Sequence, residues 1–171
     1  MQEQVPSNVI VLWRDVIKGA EDRCQVHLRE EVEAYLVSLL IRFTNKPELM
    51  RHVMAAEFLR AMHEKDMMRR YALADVGDQC LLLSGLFPGL AEHRQVKVKY
   101  FVDLGRSAYA TISAGATDLY GSLAAEFIVL MDVLQSVNQR HVLLPLQAYE
   151  LWNELGSKRA LNALRELGMR S

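Results

Sequence analysis

The residue whose position most strongly suggests chemistry is Asp78. Residues 71, 74, 78, 81, 82 and 85 follow helical spacing, which places the Asp78 carboxylate on the same face as apolar side chains. A buried carboxylate without hydrogen-bond partners has a raised pKa and is costly, so we expect donors beside it. The side chains best suited to donate are Tyr71, Arg106 and Tyr109. The sequence therefore predicts a buried polar cluster of Tyr71, Asp78, Arg106 and Tyr109.

Two roles for this cluster are consistent with the sequence. It can be a hydrogen-bonded link that locks two helices together, because a satisfied polar network makes a core rigid. It can instead bind a ligand or take part in catalysis, because carboxylates with perturbed pKa values gather at such sites. We expect the structural role, and we keep the functional one as the alternative.

Other reactive side chains lack the partners that their chemistry needs. A di-iron helical bundle uses Glu-x-x-His on two helices, and the sequence contains no Glu-x-x-His. Glu57 and Glu126 lie near predicted apolar stripes, which leaves a di-metal carboxylate enzyme as an outside hypothesis. Ser84 lacks the Gly-x-Ser-x-Gly turn of a nucleophile, and Cys80 lies among leucines that disfavour a thiolate. The sequence therefore predicts no catalytic residue, metal or cofactor.

Helical periodicity positions these residues. Apolar side chains recur at intervals of three and four in segments 28–43, 50–62, 67–86, 98–116, 118–137, 145–155 and 157–167. Segment 9–18 is rich in β-branched residues, but Ser7 or Asn8 can cap a helix there. No alternating strand pair with a hairpin turn is found. The sequence predicts an all-α fold, a single-domain antiparallel helical bundle of seven or eight helices over residues 1–171.

Composition narrows the class of protein. The chain has 171 residues, of which 51% are hydrophobic and 24% charged, which is typical of a folded domain. A net charge of -1 with scattered basic residues argues against nucleic acid as a partner. Apolar runs are too short to span a membrane, and no basic, apolar export segment is found at the N-terminus. Cys24 and Cys80 stand alone, as in proteins of a reducing compartment, so we expect a cytoplasmic, unanchored protein.

Two motifs resemble a known pattern. Gly77-Asp78 followed by Leu81 to Phe87 matches GD…L..SG.F, and residues 100–109 match YY..LG..AY, with Phe101 in place of the second tyrosine. These motifs are similar to those of a family of uncharacterised bacterial all-α proteins. The resemblance covers most of the chain and implies an all-α fold, but it implies no activity.

The apolar surface leads to the functional hypotheses. Leu119, Leu123, Phe127 and Ile128 flank one wide stripe, and we expect a single bundle to leave part of it uncovered. A second apolar face comes from the C-terminal helix pair, with residues Tyr149, Trp152, Leu155, Leu161 and Leu164. A homodimer that buries more than about 1,000 Å² would cover such faces. The leading hypothesis is therefore a protein–protein interaction or regulatory module that acts as a homo-oligomer.

A ligand-binding function is the alternative. Methionines concentrate in the predicted helices of segments 50–62 and 67–86: Met50, Met54, Met62, Met67 and Met68. They can fill a core, which is the commoner use and the one that we expect, or they can form an adaptable apolar groove. In the second case the protein would bind a small molecule or a lipid in a pocket near Asp78.

Overall fold

The computed structural model describes residues 7–45, 54–89, 97–115, 117–138 and 142–169. Within these ranges the chain is all-α, with nine helices and no strand. The helices are α1 (Ser7–Cys24), α2 (Glu30–Asn45), α3 (Met54–His63), α4 (Asp66–Leu86), α5 (Val98–Ile112), α6 (Leu119–Ala125), α7 (Phe127–Gln135), α8 (Pro145–Leu155) and α9 (Lys158–Met169). The predicted all-α class and helical bundle are confirmed.

Helix α4 lies at the centre of the bundle. Every residue from Val76 to Gly85 is buried, so this part of the helix has no solvent face. A helix that is largely apolar around its circumference must be enclosed by other elements. Helix α4 packs most extensively on α5 and also contacts α3 and α7. Side chains at the C-terminal half of α4 therefore lie in the interior, whichever direction they point.

Small residues bring the central helices close together. A Cβ atom added to Gly105 of α5 would lie 2.8 Å from Cβ of Cys80 and 2.6 Å from Cζ of Phe127. One added to Gly85 of α4 would lie 2.7 Å from Cδ1 of Leu134. Real side chains do not tolerate such distances, so the helices pack closely at both glycines.

One predicted helix is divided in two. Residues 118–137 form α6 and α7, which meet at Glu126, where φ is −98° and ψ is 11°. Asp118 is the N-cap of α6, because its Oδ1 accepts a hydrogen bond of 2.7 Å from the Gly121 N–H. Backbone hydrogen bonds of the helical type continue on both sides of Glu126, from its N–H to the Ser122 carbonyl oxygen and from the Leu130 N–H to its own carbonyl oxygen.

The structure bears out only part of the expected uncovered apolar surface along this segment. Leu123 and Phe127 are fully buried, and Leu119 and Ile128 are partly buried against the same core. Helices α1 and α4 pack against α7, while α2 and α5 pack against α6. The bundle therefore covers the centre of this stripe and leaves its flanks partly exposed.

The last two helices form a hairpin with its own small core. Pro145 opens α8, and Gly156, with φ of 69°, ends it in the left-handed conformation that favours glycine. Leu143, Ala148 and Ala160 form the centre of a second apolar cluster, separate from the main core. Contacts from α9 to α7 join the hairpin to the bundle. Among the described helices, none is both long and apolar enough to cross a membrane.

Candidate functional site

Asp78 is the centre of a buried polar cluster. Its Oδ1 accepts hydrogen bonds from the Tyr35 hydroxyl at 2.6 Å and from the Tyr109 hydroxyl at 2.7 Å. Its Oδ2 lies 3.3 Å from Nη2 of Arg42. Asp78 is 4% exposed, so its predicted burial and hydrogen bonding are confirmed. We call Tyr35, Arg42, Asp78 and Tyr109 the Asp78 cluster; it joins α2, α4 and α5.

Local sequence explains how these groups meet. A Cβ atom on Gly77 would lie 2.6 Å from Cδ1 of Tyr109, so only a glycine lets that ring lie against α4. The neighbouring residue, Asp78, then receives the hydroxyl of the same ring. On α2, Tyr35 and Arg42 are two helical turns apart and therefore lie on one face. The guanidinium of Arg42 also lies 5.8 Å from the centre of the Tyr35 ring.

The electrostatics of the cluster favour a fixed link over a reactive group. Burial raises the pKa of Asp78, while hydrogen bonding by Tyr35 and the charge of Arg42 oppose that rise. Burial and the neighbouring carboxylate raise the pKa of both phenols, so neither hydroxyl ionises near neutral pH. Both phenols already donate hydrogen bonds to Asp78, and solvent scarcely reaches the carboxylate. The cluster therefore acts as a hydrogen-bonded link between three helices.

Two of the four predicted members lie elsewhere. The structure brings Asp78 and Tyr109 together, but Tyr71 is 64% exposed and Arg106 is also exposed. Tyr71 follows the correct stripe but lies in the second turn of α4, before the buried part of the helix begins. Arg106 follows Gly105, on the far side of α5 from the core. The assignment of these two residues to a buried cluster is wrong.

Sequence reasoning missed Tyr35 and Arg42. Tyr35 lies on the apolar stripe of α2, where its hydroxyl requires a buried acceptor, and that requirement is the signal that could have identified it. Arg42 lies on the edge of the polar face and is about half exposed, so nothing in its spacing distinguishes it from a solvated arginine.

A cleft of about 460 Å³ lies on another part of the molecule. It is bounded by the C-terminal ends of α1 and α7, by the segment before α8 and by α9. Its lining residues are Arg23, Cys24, Ser136, Asn138, Val142, Leu143, Arg159, Asn162, Ala163, Glu166 and Leu167. None of them belongs to the Asp78 cluster, so this cleft is not the pocket that the sequence predicts near Asp78. We call it the arginine cleft.

The surroundings of the other reactive side chains suit structural roles. Cys80 is fully buried, and burial raises the pKa of its thiol to about 12. The Ser84 hydroxyl donates to the carbonyl oxygen of Cys80 at 2.8 Å. Glu57 pairs with Arg60 on α3. Over the described ranges, no three His, Cys, Asp or Glu side chains converge to hold a metal ion.

The methionines do not all fill the core. Met62, Met67 and Met68 are exposed at the corner between α3 and α4, so the core-filling role expected for them is wrong. They lie at or near helix ends, where the neighbouring helices do not reach. Met50 and the side chain of Met54 lie outside the described part of the chain.

The residues of the two sequence motifs form contacts between the central helices. Gly77 and Asp78 meet Tyr109, and Gly105 meets Cys80. Packing between α4 and α5 therefore accounts for these motif positions without any reaction. Comparison of the chain with protein-family models, with curated proteins and with solved structures finds no match.

Proposed function

We propose that the protein is a cytoplasmic interaction module that acts as a homodimer through the outer face of α8. The observation that carries this proposal is that α8 is apolar on two sides. Ala148, Leu151 and Leu155 pack inward. Leu146, Tyr149 and Trp152 are exposed and recur every third residue. With the preceding Leu144, these three side chains form what we call the α8 outer face.

The area of this face matches the requirement of a specific dimer. Leu144, Leu146, Tyr149 and Trp152 are 63%, 69%, 49% and 41% exposed. At about 200 Å² for a fully exposed large apolar side chain, they present about 440 Å² of apolar surface. A standard interface buries about 800 Å² per partner, of which somewhat more than half, about 450 Å², is apolar. Two α8 outer faces would together bury about 880 Å² of apolar surface, and the polar residues around them must supply the rest of an interface above about 1,000 Å².

The composition of the face also supports pairing with a second copy. The rings of Tyr149 and Trp152 contact each other edge to face, with centroids 6.3 Å apart. Tyrosine and tryptophan dominate binding energy at interfaces, because they bury large areas at little cost in side-chain entropy. In a twofold dimer the same patch occurs on both subunits, so a continuous apolar patch on one helix meets its own complement.

The free cysteines support the proposed compartment. Cys24 and Cys80 are unpaired in the structure, and proteins of reducing compartments keep their thiols in this state.

Sedimentation equilibrium tests the proposal. The parent should have twice the monomer mass of 19.5 kDa at micromolar concentration. Trp152→Arg should shift it to the monomer, because two buried arginines would face each other across the twofold axis. Met68→Arg is the matched control, since Met68 is also an exposed apolar residue but lies on α4. A parent that stays at the monomer mass, or a dimer that only Met68→Arg dissociates, contradicts the proposal.

A further inference from the structure

The arginine cleft combines two guanidinium groups with an apolar wall. We propose that it binds a small molecule that carries a carboxylate or phosphate group, with Arg23 and Arg159 holding the oxyanion and the apolar wall holding the rest. The volume of about 460 Å³ lies within the usual range of small-molecule sites, roughly 300 to 1,000 Å³. This inference is independent of the proposed dimer.

Both guanidinium groups are held in place by consecutive residues at the end of α7. Nε and Nη2 of Arg23 donate to the carbonyl oxygen of Ser136, at 2.9 and 2.6 Å. Nη1 of Arg159 donates to Oε1 of Gln135 at 2.9 Å. Both arginines also line the cleft, so both can reach a ligand bound there. Fixed arginines are the side chains that recognise carboxylate and phosphate oxygens most effectively.

The charge of the lining favours an anion. Arg23 and Arg159 face a single lining carboxylate, Glu166. The nearby Asp132 is buried, and its oxygens accept bonds from the Ser157 hydroxyl at 2.6 Å and the Arg159 backbone N–H at 3.4 Å. Burial lowers the pKa of Arg159, and the negative charge of Asp132 opposes that change. A negatively charged ligand group beside Arg159 would stabilise its charged form in the same way.

The other lining residues set the remaining chemistry of the ligand. Leu143, Ala163 and Leu167 contribute apolar surface, and Asn162 contributes an amide. A wall of this kind accommodates a short hydrocarbon or ring next to the oxyanion. The ligand class is therefore an amphiphilic metabolite-sized anion and not a free inorganic ion.

Isothermal titration with four eight-carbon probes tests the site. Octanoate and octyl phosphate carry the expected oxyanions and separate a carboxylate from a phosphate ligand, whereas octylammonium and octanol lack a negative charge. We expect at least one of the anions to bind at millimolar concentration or below. Octylammonium and octanol should bind at least about 10-fold more weakly, since a hydrogen bond to a charged group contributes that factor or more. Equal binding of octanol, or no binding by either anion, overturns the proposal.

Matched variants locate the binding. Arg159→Gln should weaken binding of the preferred anion about 10-fold. Arg165→Gln removes the same charge from an exposed position of α9 outside the cleft, and it should leave binding unchanged. Circular dichroism verifies that both variants fold. Equal binding by the parent and Arg159→Gln contradicts the proposal.

Cys24 provides a second measurement that needs no variant. Its thiol lines the cleft and is partly exposed, whereas Cys80 is fully buried. Iodoacetamide, an uncharged reagent, should therefore modify Cys24 selectively in the native protein. The preferred anion should slow this modification in proportion to the occupancy of the cleft, as measured by mass spectrometry. Modification at an unchanged rate under saturating anion places the binding elsewhere and overturns the proposal.

Discussion

Removal of the Tyr109 hydroxyl should destabilise the protein substantially. In Tyr109→Phe the ring and its packing remain, but the fully buried hydroxyl that donates to Asp78 Oδ1 at 2.7 Å is lost. A hydrogen bond to a charged group contributes about 1.5 to 3 kcal/mol to the free energy of unfolding. For a chain of this size, that loss lowers Tm by roughly 3 to 12 °C. Urea unfolding followed by circular dichroism measures it directly.

The magnitude follows from what Asp78 retains. Tyr35 still donates to Oδ1, and Arg42 still lies beside Oδ2, so the carboxylate loses one hydrogen bond and keeps two partners. Removing a donor that lowers the pKa of Asp78 should also raise that pKa further. A double-mutant cycle between Tyr109→Phe and Asp78→Ala should give a coupling energy of about 0.5 to 3 kcal/mol, because the two residues contact directly.

Tyr71→Phe is the control for this prediction. The sequence assigns Tyr71 to the same cluster, but the residue is exposed. Its substitution should change stability by no more than about 0.5 kcal/mol and should show no coupling to Asp78→Ala. If Tyr71→Phe costs as much as Tyr109→Phe, or if Tyr109→Phe unfolds like the parent, the reasoning from the observed hydrogen bonds is refuted.

Two further predictions concern other parts of the molecule. Gly77→Ala should reduce the free energy of unfolding by about 1 to 3 kcal/mol, because its Cβ would meet the rigid ring of Tyr109. Gly168→Ala, which meets no atom within 4 Å, should be neutral or stabilising by up to about 1 kcal/mol, and equal urea midpoints for the two variants would contradict this account. Burial raises the pKa of Asp132 above its ordinary value of 3.8, so the folded protein binds more protons than the unfolded protein between the two pKa values. The contribution of Asp132 to stability is therefore complete below pH 3.8 and is lost as the pH rises through the folded-state pKa. The free energy of unfolding of the parent minus that of Asp132→Asn, measured in urea across this pH range, should fall with rising pH. A difference that rises instead would mean that the pKa shift has the opposite sign.

The sequence predicts the positions of the helices well, but it predicts less well which helices pack against each other. Spacing of three and four identifies the stripes of α2, α4 and α5, because burial of one face imposes that period. The same spacing places Tyr71 and Asp78 on one stripe but cannot say that the core begins only after Tyr71. That boundary depends on which helices cover α4. The partnership of Asp78 with Tyr35 is likewise a property of packing, since these residues are distant in the chain.

The candidate surfaces depend even more on tertiary structure. Periodicity indicates that α8 is apolar, but only the docked hairpin determines which of its faces is covered by α9 and which is left to solvent. The arginine cleft brings Arg23 together with Arg159, and no local pattern joins two arginines from opposite parts of the sequence. Its recognition requires the position of α9 against α7.

The small second core has a consequence for the order in which the protein opens. Among the described residues, the hairpin of α8 and α9 centres on three buried apolar residues, Leu143, Ala148 and Ala160, and hydrogen bonds to Asp132 and Gln135 anchor it to α7. Regions with few buried apolar contacts unfold locally at a lower free energy than the whole molecule. Amide protons of α9 should therefore exchange with solvent long before those of α4. In that case the hairpin opens as a separate cooperative unit, and the rest of the bundle opens more slowly.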